Sequence, residues 1–339
     1  MNLRIESITL KEFRGILKCK KPIELSRFVV LIGRNDTGKS SILEALSLFP
    51  QPDYTPFYSG NKKSELVASL HSGKASLVYG YSGFASVEYV VDGEHLRWKL
   101  DTSGNVRDFS IAGLPQSLAQ VDPFRSIEKI LHVSSQEGIS SGEIISSRMV
   151  FFMPSHTSFM QKLEDISRQS ENQHFLTKTG AHVRVVKELI NECVDDVYTE
   201  VFFTPEMCLR KQRADGSPLY ISVKDVGSGV EKTTVATLWL DALNPSVVLW
   251  DDFEGFAHPT LVAQLLKWLE KKKWQVVIST HSIDVLSKVL EVRPEGCTIV
   301  QLNKTNADVL VHNILTLEQL EDIMDSSQDP RNLVNFLKL

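Results

Sequence analysis

At 339 residues, 42% hydrophobic and 23% charged, the chain has material for one large or two modest cores. Its net charge of −5 supplies no global basic field, so contact with nucleic acid would need a local patch. No apolar run reaches the roughly 20 residues that span a bilayer, and Met1–Glu6 lacks the apolar core of a secretion signal. A cytoplasmic location with no membrane partner is therefore expected. Four cysteines, Cys19, Cys193, Cys208 and Cys297, stand far apart without C-x-x-C spacing and read as incidental thiols.

In chain order, the first strong element is the apolar run Phe28–Ile32, which fits a buried parallel strand. Gly33, Arg34, Asn35, Asp36, Thr37, Gly38, Lys39 and Ser40 follow, matching G-x-x-x-x-G-K-S. An amphipathic helix then carries Ile42, Ala45, Leu46 and Phe49 on one face and stops at Pro50. Strand, glycine loop and helix together make a phosphate cradle, in which loop and helix N–H groups face the phosphates. Lys39 would reach the outer phosphates and Ser40 would ligate Mg²⁺, with Ser41 completing the nucleotide-contacting run.

Val87, Tyr89 and Val91 alternate with polar residues, Asp92-Gly93 turns the chain, and Leu96, Trp98 and Leu100 alternate again, predicting a hairpin. Residues 134–147, rich in serine and glycine, read as an exposed loop, and the apolar run Met149–Met153 ends at Pro154. From about 158 to 203 the pattern predicts two helices broken at Thr177–Gly180. Gly227-Ser228-Gly229-Val230-Glu231-Lys232 opens a further helix, and Ser228 and Glu231 have capping-box spacing, which leaves a plain helix start as one reading. The strand Val247–Trp250 ends in Asp251 and Asp252. Asp251 fits a Mg²⁺-holding carboxylate and Asp252 a base for the attacking water, the alternative being an Asp-Asp turn. Gln275–Ser279 and Thr298–Leu302 are further strands, with Ser279-Thr280-His281-Ser282 directly after the first. A last helix is predicted over 316–338, broken or kinked at Pro330. Strands alternating with helices give an α/β class with a mainly parallel sheet. Three basic clusters, Lys18–Lys21, Arg210–Arg213 and Lys271–Lys273, read as solvated faces before DNA grooves.

In this order, the four motifs resemble the P-loop ATPases of the ATP-binding-cassette type, in the branch shared by SMC-like recombination proteins and OLD-type defence ATPases. Ile5–Ile16, with Phe13-Arg14-Gly15, is similar to that branch's opening strand and F-R-G turn. Gly227–Lys232 is similar to its signature, Asp251–Pro259 to its Walker B and D-loop, and Ser279–Ser282 to its switch-histidine segment. The resemblance implies an ABC ATPase head with a parallel core, an antiparallel β lobe and a small helical insertion. Its organisation would be an ATP-binding lobe over 1–135, a loop and insertion over 136–214, and a C-terminal lobe over 215–339.

The same resemblance implies ATP and Mg²⁺ as cofactors and a homodimer formed around ATP, with Ser228 and Gly229 contacting the γ-phosphate of the facing subunit. Arg14 would approach the nucleotide, His281 the γ-phosphate, and Gln136 would serve as the Mg²⁺-sensing glutamine, its alternative being an exposed loop residue. Asp252 stands where the family carries Glu, which implies slow hydrolysis; Glu254 is either a substitute carboxylate or an interface residue. The insertion is too short for a coiled-coil arm, and residues 298–339 hold no acidic cluster for a Toprim nuclease, so any nuclease or effector is expected as a separate subunit. DNA repair, recombination or defence is the expected setting, with DNA a candidate ligand. The alternative is a nucleotide-gated module that binds a partner or DNA with negligible turnover. A small-molecule kinase would explain residues 33–40 but not the later motifs, and a transporter subunit would not explain the opening strand.

Overall fold

The computed structural model describes residues 3–56, 60–111, 114–115, 148–204, 206–256 and 259–332. Along the chain, β1 (Ile5–Phe13) turns at Arg14 into β2 (Ile16–Cys19), followed by β3 (Ile23–Glu24), β4 (Phe28–Ile32) and the P-loop helix α1 (Lys39–Ser47). Helix α2 (Lys63–Ser69) leads to an antiparallel run of β5 (Phe84–Val91), β6 (Glu94–Asp101), β7 (Val106–Ile111) and β8 (Leu114–Pro115). Strand β9 (Val150–Met153) precedes helices α3 (Thr157–Ser167), α4 (Ser170–Lys178) and α5 (Ala181–Glu188). A small sheet of β10 (Glu200–Phe203), β11 (Met207–Gln212) and β12 (Pro218–Ser222) leads through α6 (Val223–Val226) into α7 (Ser228–Leu243). The chain continues as β13 (Val247–Trp250), α8 (Pro259–Lys271), β14 (Gln275–Ser279), α9 (Ile283–Val292), β15 (Cys297–Lys304), β16 (Val309–Leu315) and α10 (Leu317–Asp325).

Among the described residues, one sheet runs β8-β7-β6-β5-β1-β2-β16-β15-β4-β14-β13-β9, with β3 paired to β1. Its block β15-β4-β14-β13-β9 is parallel throughout, and the β1-β5-β6-β7 end is antiparallel. The architecture is therefore the expected α/β one. Strands β4, β9 and β13 of this block read as unbroken apolar runs because both faces are covered. In β4, Val29 and Leu31 join the core that holds α1, while Phe28, Val30 and Ile32 join the core that holds α7 and the helical insertion. The antiparallel part and the parallel block are tied together by Gln275 of β14, whose side chain accepts from Ile5 N of β1 at 2.9 Å and donates to Ile5 O at 2.8 Å.

The Asp92-Gly93 hairpin forms as predicted, both residues taking positive φ (50° and 77°) between Val91 and its partner Glu94. Three expectations are corrected. The 158–203 stretch holds three short helices rather than two, because the chain also breaks at Arg168–Gln169, and Glu200–Phe203 is a strand. The break at Gly180 is real, with that glycine left-handed (φ 75°) at the start of α5. The helix expected over 316–338 ends at Asp325 in its described part, before Pro330, with 333–338 outside the described residues; Ser327 is left-handed (φ 57°), and Pro330 accepts a hydrogen bond from Gln301 at 2.6 Å. Finally, Ser228 is the first residue inside α7 rather than its cap; Gly227 holds the cap position, and no side chain caps this end. A serine already in helical geometry cannot fold its hydroxyl back onto the first free N–H groups.

Candidate functional site

The parallel block gathers the predicted residues at the carboxyl ends of β4, β13 and β14, where loops of an open α/β sheet form a crevice. Lys39 is almost fully buried, and its ammonium donates to Gly33 O and Arg34 O, both at 3.0 Å. Burial pushes its pKa down, against the pull of Asp252, Asp251 and Glu254. Thr37 Oγ1 braces the loop by donating to Arg34 O at 2.8 Å. Gly38 is left-handed (φ 98°) and starts α1.

Gly33 lies where β15 runs against the loop. Its φ is +150°, and a Cβ there would meet Leu302 O at 2.6 Å and Thr37 Oγ1 at 2.7 Å. Gly33→Ala is expected to cost about 3 kcal/mol and lower the melting temperature, because one of the blocking atoms is backbone that cannot rotate away. Thermal unfolding checks this, and an unchanged melting temperature would count against so close an approach.

At the far wall, Asp251 directly follows β13 and is buried. Its Oδ1 accepts from Ser279 Oγ at 2.6 Å and Ser40 Oγ at 3.2 Å. Burial raises its pKa, and the two hydroxyls oppose the shift. Asp252 N donates to the same Ser279 hydroxyl at 2.9 Å, so one serine fixes both aspartates. The Asp252 side chain is 40% exposed, with Oδ1 3.6 Å from His281 Nε2. Its pKa is raised by burial and by the neighbouring Asp251 charge. His281 is fixed through its backbone: its N–H donates to Glu254 Oε1 at 2.6 Å, and its carbonyl accepts from Arg331. Ser40 and Asp251 supply hard oxygens in contact across the crevice, a donor set that fits Mg²⁺ carried mainly by water and phosphate.

An open cleft of about 360 Å³ runs over the loop, lined by Arg14, Gly15, Ile16, Asn35–Ser41, His71, His281 and Lys304. The structure thus brings Arg14, the loop, Asp251, Asp252 and His281 together.

Residues 3–112 match a family model described as an AAA ATPase domain. Residues 211–287 match one described as an AAA domain, putative AbiEii toxin, type IV TA system. No curated protein matches the chain in sequence. Among solved structures, an SMC head bound to the C-winged helix domain of ScpA is similar at TM-score 0.54 and 14% identity, covering 94% of this chain and 99% of that one. The SMC head domain from Thermotoga maritima is similar at TM-score 0.53 and 13% identity, covering 92% and 99%. The chain has the fold of an SMC-like ATPase head. In this head the described part of the insertion is limited to helices of 11, 9 and 8 residues, and no long coiled coil occurs among the described residues.

Ser228 and Gly229 do not line the head's own cleft; they stand at the N-terminus of α7, where Ser228 is exposed. Gln136 lies outside the described residues. Two of the basic clusters carry ion pairs: Arg210 with Glu200, Lys211 with Asp196, and Lys272 with both Glu188 and Asp241.

Sequence reasoning missed Glu44, His71, Lys304 and Arg331. Glu44 has a side chain only 3% exposed on α1, and it pairs with Arg14 Nε at 2.9 Å and His71 Nε2 at 2.7 Å. The available signal was its place three residues after Ser41, on the helix face that also carries the loop end.

Proposed function

We propose that this head binds Mg²⁺–ATP in the cleft and hydrolyses it slowly, dimerising around the nucleotide. The observation that carries the reading is the hydroxyl–carboxylate contact between Ser40 of the phosphate loop and Asp251 at the end of β13. That pair would hold Mg²⁺, which when bound neutralises phosphate charge. Lys39 would leave the Gly33 and Arg34 carbonyls for the outer phosphates. Asp252 would orient and deprotonate the attacking water, its raised pKa making it a stronger base, and His281 would hydrogen-bond the γ-phosphate. Arg14 reaches the cleft from the β1–β2 turn, oriented by Glu44.

The exposed start of α7, outside the cleft of its own chain, supports its use by a facing subunit. Ser228 and Gly229 would there present a helix N-terminus to the γ-phosphate. Light scattering with Mg²⁺ tests this on wild type and on Asp252→Ala, which would slow turnover and prolong the ATP state. ATP is expected to convert monomer to dimer, and Ser228→Arg to block the conversion while leaving ATP binding intact. A monomer under all conditions, with ATP bound, would overturn the sandwich and favour a partner-dependent head.

For setting, the reading is DNA repair, recombination or defence, with a protein partner supported by the similar heads recorded with ScpA domains. Stimulation of ATP turnover by DNA is the test for DNA as a ligand. One observation favours a second reading, a nucleotide-gated binding module with negligible turnover: the short carboxylate at Asp252, which stays 3.6 Å from His281.

A further inference from the structure

Lys304 was assigned no role by any motif, yet it stands in the cleft. It is the last residue of β15, the strand whose Leu302 carbonyl presses against Gly33. Its side chain is only 14% exposed, and its ammonium lies 3.0 Å from Asp36 Oδ2, 3.3 Å from Gly15 O and 3.4 Å from Asp308 Oδ1. Asp308 is separately occupied, its other oxygen accepting from the Tyr79 hydroxyl at 2.7 Å.

Asp36 is the unusual partner. It sits inside the phosphate-binding loop in left-handed backbone (φ 63°), with a side chain 86% exposed beside the cleft. A carboxylate there repels phosphate oxygens, whereas the loop's N–H groups attract them. Something must offset that charge for the loop to hold a polyphosphate.

We propose that Lys304 is the counter-charge that makes this acidic phosphate loop workable: it holds the Asp36 carboxylate and adds a positive charge to the wall of the cleft. The inference rests on the reading of the cleft as an ATP site. It makes Lys304 a positioning residue contributed by the β15–β16 hairpin, outside the four motifs. Removing the ammonium would leave the Asp36 carboxylate at the cleft without its cation.

Equilibrium titration with a fluorescent ATP analogue and Mg²⁺ tests this on wild type, Lys304→Met, Lys304→Arg, Asp36→Asn and the Lys304→Met/Asp36→Asn double variant. Methionine keeps the aliphatic stem, and asparagine tolerates the left-handed backbone. Lys304→Met is expected to weaken binding about tenfold at low salt, less at high salt, while Lys304→Arg stays near wild type. Adding Asp36→Asn is expected to restore affinity to within about threefold of wild type, because the repulsion has gone. A lysine that merely pinned the hairpin to Gly15 would give a loss that Asp36→Asn does not relieve, and that result overturns the proposal. Equal binding by Lys304→Met and wild type overturns it too, leaving the ATP reading intact. A wild type that binds no ATP overturns both.

Discussion

Replacing Lys39 with alanine is expected to weaken ATP binding by about 100-fold or more. The ammonium is already desolvated, which is why burial lowers its pKa, so it gives up little hydration when it moves onto the phosphates. At about 4 Å in a partly buried site, a pair of unit charges is worth about 4 kcal/mol, enough for two to three orders of magnitude in affinity. A second effect works in the same direction. Asp251, Asp252 and Glu254 all act on Lys39, and without it their charge confronts the phosphates directly. The fold should survive, since the loop keeps Thr37 Oγ1 on Arg34 O and the Ser40–Asp251 contact. Titration with a fluorescent ATP analogue, beside a thermal melt of the same variant, checks both statements. Affinity within threefold of wild type would mean that Lys39 does not carry the triphosphate, and would overturn its role at the outer phosphates.

The parallel core was legible because its physical signature is local. Phe28–Ile32 and Val247–Trp250 are apolar at every position, and Gln275–Ser279 carries Val276, Val277 and Ile278 between polar ends, as strands covered on both faces do. Asp92-Gly93 was legible because few residue pairs take positive φ twice in succession. What escaped depends on tertiary contact. Glu44, between Leu43 and Ala45, looks like any helix glutamate until the β1–β2 turn brings Arg14 to it and the segment after α2 brings His71. The break at Arg168–Gln169 has neither Gly nor Pro to mark it; Asn172 helps to close it, its amide donating to Ile166 O at 2.8 Å. Lys304 was invisible for the same reason as Glu44, since 268 residues separate it from Asp36. The motifs thus announced which groups gather at the cleft, whereas the residues that hold those groups in place emerged only from the packed structure.

Asp252→Glu is expected to raise the rate of ATP turnover, by roughly 10- to 100-fold. Ser279 Oγ fixes the backbone at this position through Asp252 N, and the same hydroxyl holds Asp251, so the proposed base could not move toward a water without disturbing the Asp251 carboxylate. Reach must therefore come from the side chain. One added methylene advances the carboxylate by roughly 1.5 Å, and misplacement of about 1 Å at a reacting group costs on the order of 100-fold. The substitution carries a small structural cost. Residue 252 is left-handed (φ 48°), a conformation that aspartate tolerates better than glutamate, so the melting temperature should fall slightly as the rate rises. Opposite signs in the two measurements separate a catalytic gain from a general improvement of the fold. Steady-state phosphate release, with ATP affinity measured beside it, reads the result, and affinity should change little because the longer group addresses water rather than the bound phosphates. Turnover that stays level or falls would show that the short carboxylate is matched to this site. The 3.6 Å pairing of Asp252 with His281 would then be its working geometry, and the short carboxylate would no longer argue for slow hydrolysis or for a switch that holds ATP.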